Sequence, residues 1–195
     1  LRQMRLFIAV NLPGELKKSL DNLSLALRRF PSDAKWVGGA NLHLTLQFLG
    51  NVPEDQVPAI VQGLNLAAGE VAPFKLVIGG VGVFPSVERP RVLWVGVSGD
   101  TTILAGLHRR VETEMGLLGF EPERRKFSPH LTLARIRSPL GFEKLLQKAE
   151  EYAGRSKKFG EARIVSIELM LSELGPKGAK YYVLASVPLS GLPAV

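Results

Sequence analysis

The tetrapeptide His-Leu-Thr-Leu occurs twice, at residues 43–46 and 130–133, 87 positions apart in a chain with three histidines. Each copy sits in an alternating run, residues 42–49 and 131–136. Period two sends His43, Thr45 and Gln47 to one face of a strand, and Leu44, Leu46 and Phe48 to the other. The apolar face needs a covering layer of helix. The polar face, with its imidazole and hydroxyl, is left for other work. A single histidine in a strand is most often structural, and threonine is simply a good strand former. The same polar pair at the same spacing, twice, points instead to a site.

The rest of the chain repeats around these two strands. Residues 6–10 read as a strand and residues 15–29 as a helix with Leu16, Leu20, Leu23 and Leu27 in one stripe. Trp36 and Val37 suggest a short strand before the first HLTL strand, which Gly50-Asn51 stops. Pro53 opens the next helix, with Val57, Ile60, Val61 and Leu64 inward. Strands follow at 74–84 and 91–97. Asp100 then caps a helix carrying Leu104, Leu107, Val111 and Leu118. After the second HLTL strand come a helix with Phe142, Leu145, Leu146 and Ala149 inward, a strand at 162–171, a loop at 175–178 and a strand at 181–187.

Shifting by 87 lays residues 6–10 on 93–97, and 75–78 on 162–165. The unit is strand, helix, HLTL strand, helix, strand, twice, with one strand over. Residue identity between the helices is poor, so this is a repeat of element order. It predicts an α+β fold of two similar lobes, each an antiparallel-rich sheet with helices on one face. Residues 1–195 form one bilobal domain in this reading, with a first repeat at about 4–90 and a second at about 91–188. The last strand can complete either lobe.

At 195 residues, 46% hydrophobic and 22% charged, the chain can bury a full core. It has no cysteine, which excludes disulfides and thiolate chemistry. No apolar run approaches the roughly 18 residues of a membrane span, and no secretory leader is visible. Met4 reads as a natural start and the cytoplasm as the expected location. A net charge of +7 and a pI near 9.9 suit an anionic substrate, though many basic proteins bind no nucleic acid.

Two imidazoles with ordinary pKa values near 6.5 can divide general-acid and general-base work around neutral pH. Threonine hydroxyls two residues on can donate to phosphate oxygens. The nearest carboxylates, Glu54, Asp55 and Glu123, lack metal-ligand spacing, so neither metal nor cofactor is expected. Spacing does not tell donor from acceptor.

HxTx twice resembles the two-histidine phosphoesterase superfamily. NLHLTLQFLG and PHLTLAR resemble its RNA 2′,3′-cyclic phosphodiesterase (2′-5′ RNA ligase) branch. RLFIAVNLP and RVLWVGV fit that branch too, so the resemblance covers nearly the whole chain. It implies a bilobal fold with the HLTL strands lining a central cleft, His43 as proton donor and His130 as proton acceptor. It also implies phosphate binding by Thr45, Thr132 and Arg135. Strict alternation puts Arg135 on the face away from His130, so the strand bulges, or Arg135 reaches around its end, or it is a surface residue. Arg124, Arg125 and Lys126 are candidates to track an RNA backbone, or form a solvated loop. Phe127, Tyr181 and Tyr182 are candidate stacking platforms. Trp36, Trp94 and Phe7 read as core and His108 as surface. The implied partner is RNA or a nucleotide with a 2′,3′-cyclic phosphate, acted on by a monomer. The alternatives are a non-catalytic nucleotide or RNA-binding module, and a cyclic phosphodiesterase for 2′-5′ oligoadenylate or ADP-ribose cyclic phosphate.

Overall fold

The computed structural model describes residues 2–156, 158–176 and 178–192. Two antiparallel sheets make an α+β, bilobal molecule. The first sheet has the order β3-β1-β8-β9, with β1 at Gln3–Asn11, β3 at His43–Pro53, β8 at Ser166–Gly175 and β9 at Gly178–Pro188. The second has the order β2-β6-β5-β4-β7, with β2 at Ala34–Trp36, β4 at Phe74–Pro85, β5 at Pro90–Gly99, β6 at His130–Ile136 and β7 at Gly160–Ile164. Within each sheet an HLTL strand (β3 or β6) pairs with the strand read as opening its repeat (β1 or β5).

The third strands are exchanged. β4, early in the chain, pairs with β5 in the second sheet, while β8, late in the chain, pairs with β1 in the first. The terminal strand β9 pairs with β8 and so completes the first sheet. The run expected as one strand at 162–171 is two, because Val165, half exposed, is where the chain leaves the second sheet for the first. Lys177 of the expected 175–178 loop lies outside the described residues.

Helices cover one face of each sheet. α1 (Gly14–Leu27) packs against β7 and α4 (Phe142–Ser156), and α4 against β4. α2 (Val57–Gly69) and α3 (Thr101–Leu117) pack on each other; α2 also packs on β8 and β9, and α3 on β3. Their stripes fill the core with fully buried leucines such as Leu20, Leu64 and Leu107, each worth about 2–5 kcal/mol against alanine. At Gly63 a Cβ would stand 2.9 Å from the Met115 methyl, so glycine sets how closely α2 and α3 approach.

Several expectations need correction. Asp100 stands at the N-cap of α3 without capping it, because its Oδ2 accepts the Lys75 backbone N–H at 2.9 Å. Met115, rather than Leu118, completes the α3 stripe, since the helix ends at Leu117. β3 runs on through Gly50 to Pro53, and a 3₁₀ turn precedes α2. No helix among the described residues is long and apolar enough to cross a membrane.

Candidate active site

The helix-free face of each sheet, its inner face, carries the motif residues. In β3, Thr45 lies opposite Ala9 of β1, but Gln47 lies opposite Ile8, so Leu46 is an extra, bulged residue. In β6, Thr132 lies opposite Trp94 of β5, but Ala134 lies opposite Leu93, so Leu133 is bulged in the same way. Each HLTL strand therefore breaks its alternation directly after the threonine. Beyond the bulge the faces swap. Gln47 turns to the helix side, buried, and donates to the Glu121 carbonyl at 3.3 Å. Phe48, expected on the apolar face, comes to the inner face instead, exposed and opposite Phe7. Arg135 likewise lands on the inner face with His130 and Thr132, opposite Val92 and beside the exposed Lys35 of β2. Of the three readings for Arg135, the bulge is the one observed.

The two HLTL strands approach each other where the lobes join. The link is short: β2 ends at Trp36 in the second sheet, the Val37 N–H bonds the Leu133 carbonyl at 2.9 Å, and β3 starts at His43 in the first. Each histidine is set among aromatic rings. The His43 ring lies 4.8 Å from Phe7 and 5.0 Å, edge-on, from Tyr181. The His130 ring lies 5.0 Å, edge-on, from Phe84, with Nδ1 2.7 Å from the Ser128 carbonyl. A carbonyl only accepts, so in a neutral His130 this contact puts the proton on Nδ1 and leaves Nε2 unprotonated.

Tyr181 reaches His43 because the β8–β9 hairpin leaves the sheet and folds over the inner face. Asn41 grips it, donating from Nδ2 to the Ala179 carbonyl at 2.8 Å. Burial under this cover pushes the His43 pKa down to about 4; a backbone hydrogen bond at Asn41 opposes the shift, and the Lys17 ammonium nearby adds to it. Lys17, on the first turn of α1, is itself desolvated, and its pKa is lowered.

Phe7 and Trp94, expected in the main core, belong to the inner faces. Odd positions of β1 (Phe7, Ala9) point away from the helices, and Phe7 forms a small cluster with Ala9, Met170 and Tyr181. Trp94 lies flat across Gly82, where a Cβ would collide with its ring. Trp36 is half-buried under the Arg28 guanidinium. Tyr182 is exposed on β9.

His108 is buried, not surface, because it falls within the α3 stripe of Leu104, Leu107, Val111 and Met115. Its ring stacks on Phe127 at 4.0 Å, and its Nε2 is 3.6 Å from Glu112. Glu112 also accepts the Glu123 backbone N–H at 3.1 Å. Phe127 is thus a half-buried anchor whose stacking face is taken, while Arg124, Arg125 and Lys126 stay exposed at the tip of the tethered loop.

Sequence reasoning missed Lys17, Lys35 and Glu168. Glu168 lies on the inner face in one row with Thr45, Ala9 and Ser186. It is buried, and its Oε1 accepts the Ser166 and Ser186 hydroxyls at 2.7 and 2.9 Å. A lone glutamate in a strand carries no signal of this. Among the described residues no group of three or more His, Cys, Asp or Glu is placed to hold a metal.

Two His-x-Thr strands, bulged alike and set on the inner faces of paired lobes, define a two-histidine phosphoesterase. The chain belongs to the LigT-like phosphoesterase family, whose model matches it twice, over residues 10–94 and 95–181. It is 33% identical over 179 residues to the RNA 2′,3′-cyclic phosphodiesterase of Methanothermobacter thermautotrophicus, covering 92% of this chain and 95% of that one. It is 37% identical over 158 residues to the enzyme of the same name from Aquifex aeolicus, covering 80% and 82%. Among solved structures it is similar to TT0787 of Thermus thermophilus (TM-score 0.77, 32% identity, 96% and 99% covered). It is also similar to E. coli LigT complexed with 3′-AMP (TM-score 0.71, 26% identity, 97% and 99% covered).

Proposed function

We propose that this protein hydrolyses RNA 2′,3′-cyclic phosphate ends to 2′-phosphomonoesters, without a metal, by shared general-acid and general-base catalysis of His43 and His130. The observation that carries the reading is the duplicated, identically bulged His-x-Thr strand, which offers one imidazole and one hydroxyl from each side. The relatives named RNA 2′,3′-cyclic phosphodiesterase, and the 3′-AMP held by E. coli LigT, support the substrate class.

In this mechanism His130 takes a proton from water as its oxygen bonds to phosphorus. The P–O3′ bond breaks, and His43 gives its proton to the departing O3′, leaving phosphate on O2′. Thr45 and Thr132 donate to the non-bridging oxygens, and Arg135 balances their charge. With a ribose 5′-hydroxyl in place of water, the same displacement makes a 2′-5′ linkage.

The donor role asks His43 to carry a proton that burial and Lys17 remove in the free protein. An anionic phosphodiester beside it supplies the opposite charge and raises its pKa again. The resemblance gives the donor assignment, and the depressed pKa of His43 pulls against it. Product analysis decides between them. Cyclic CMP should yield 2′-CMP, separable from 3′-CMP by chromatography; a 3′-phosphate product would exchange the two roles. Turnover should survive EDTA, and activity lost to the chelator and restored by a divalent ion would overturn the metal-free reading. A pure binding module would give no turnover at all.

A further inference from the structure

The bulge at Leu46 leaves an exposed aromatic ring on the inner face. Phe48 is 60% exposed, although it sits next to a buried cluster. Its ring is 5.8 Å from Phe7, whose ring is 4.8 Å from His43. One step further along the same face of β1 stands Arg5, exposed and opposite Asn51. Its neighbour Arg2 pairs with Glu173 at 3.9 Å, whereas Arg5 has no carboxylate partner among the described residues.

The ground beside Arg5 is hollow. The β1–β8 pairing stops at Leu6↔Leu171, just where the β8–β9 hairpin begins to lift over the inner face. A cavity of about 390 Å³ opens there, lined by Arg2, Arg5, Asn51, Ser172 and Glu173 among others. The inner face of the first sheet thus continues from His43 and Thr45 to an open ring, and then to an unpaired guanidinium at a cavity mouth. In the second sheet the aromatics are engaged with each other and with the histidine: Trp94 lies on Gly82 and against Phe84 at 5.0 Å, and Phe84 stands edge-on to His130.

We infer that Phe48 and Arg5 form a subsite for the nucleoside end of the substrate, the terminal base stacking on Phe48 and the phosphate on its 5′ side bound by Arg5. The inference rests on the reaction class proposed above and adds which part of an RNA end is recognised. A nucleotide whose cyclic phosphate lies at the histidines must place its base and its 5′ oxygen somewhere beyond them. An aromatic face accepts any base, so this subsite reads the presence of a base and a chain rather than sequence.

Three substrates separate these contacts: methyl riboside 2′,3′-cyclic phosphate, which has no base, adenosine 2′,3′-cyclic phosphate, and the dinucleotide ApA ending in the cyclic phosphate. With the full chain, kcat/KM should rise in that order. In Phe48→Leu, which keeps an apolar contact with Phe7, the advantage of adenosine over the base-free substrate should fall roughly tenfold, mostly through KM. Phe48→Trp should restore it. In Arg5→Gln the advantage of the dinucleotide over adenosine should disappear, and Arg5→Lys should return part of it. Unchanged ratios in Phe48→Leu and Arg5→Gln would overturn the subsite, as would the same losses appearing in Trp94→Leu instead. If the unaltered protein turns over none of the three, the reaction class fails. Equal turnover of all three defeats the subsite alone.

Discussion

The two halves of the site share a scaffold and differ in what lines it. Each has a histidine, a threonine two residues on and a bulged leucine after that, and each bulge brings a residue five places beyond the histidine to the inner face. In the first sheet that residue is Phe48, and in the second it is Arg135. Beside Thr45 lie the small Ala9 and the buried Glu168, whereas beside Thr132 lies Trp94, spread over Gly82. His43 is roofed by Tyr181 on a folded-over hairpin with Lys17 nearby. His130 sits beside an edge-on Phe84, while a backbone hydrogen bond two residues back is common to both, at Ser128 for His130 and at Asn41 for His43. What is duplicated suits the phosphate, whose non-bridging oxygens are alike. What differs suits the rest of a cyclic nucleotide, whose two ribose oxygens must meet different fates. In the proposed mechanism, this asymmetry is what separates the proton-transfer roles of two near-identical motifs.

The strongest test of that division is to remove each imidazole. His43→Ala and His130→Ala should each lower turnover of cyclic CMP by roughly 10²–10⁴-fold with the fold intact, since each deletes a separate proton transfer. The double variant should be little worse than either alone if the pair acts as a unit. Near-normal turnover in either folded single variant would end the two-histidine mechanism. Arg135→Ala should come next, losing about 1.5–3 kcal/mol as a charged donor to phosphate, seen mainly as a raised KM. Thr45→Ala and Thr132→Ala should cost about 1–2 kcal/mol each in kcat/KM, as neutral donors do. Unequal threonine effects would show that the phosphate does not sit evenly between the halves.

Much of this was legible because it depends on period and repetition. The two HLTL strands, the α1 stripe and the inward face of α4 follow from apolar spacing, and the structure buries those residues. The bulges were not legible. Leu46 and Leu133 look like ordinary apolar positions, and one extra residue in a strand is set by its partner's register rather than by its own sequence. Reading straight through them sent Phe48 to the core and left Arg135 on an open choice of faces. Aligning the repeats by their histidines had a related cost. A shift of 87 fits β3 to β6, but the pairing lays Val10 on Val95 and Ala9 on Trp94, so the opening strands are offset by two residues less. An offset of two preserves the faces, which is why the pattern looked right. Buried polar groups were hidden for another reason. His108 stacks on Phe127 and lies near Glu112, and Glu168 accepts from serines on β8 and β9 through Oε1 alone. Only the assembled fold brings Phe127 and Ser186 to these positions, and it leaves Glu168 Oε2 buried without a partner among the described residues.

The smallest effect expected separates the cover on His43 from the histidine itself. A histidine whose folded-state pKa is about 4 takes up its proton more readily in the unfolded chain, where the value is near 6.5. The stability linked to its neutral form is therefore complete above about pH 6.5 and is lost as pH falls from there towards 4, because the unfolded state then binds more protons. Partial exposure of the ring keeps the loss small, on the order of 1–2 kcal/mol. Denaturant unfolding across that range should show it, and His43→Ala should reduce the slope. Tyr181→Ala should act through the pKa instead. With the edge-on ring gone and water admitted, the His43 resonance followed by NMR should titrate nearer 6.5, and the stability loss should shrink with it. If the midpoint stays near 4 without Tyr181, the hairpin is not what dries His43. The depression would then come from Phe7 beneath the ring and from Lys17, and Lys17→Met would be the variant that moves it.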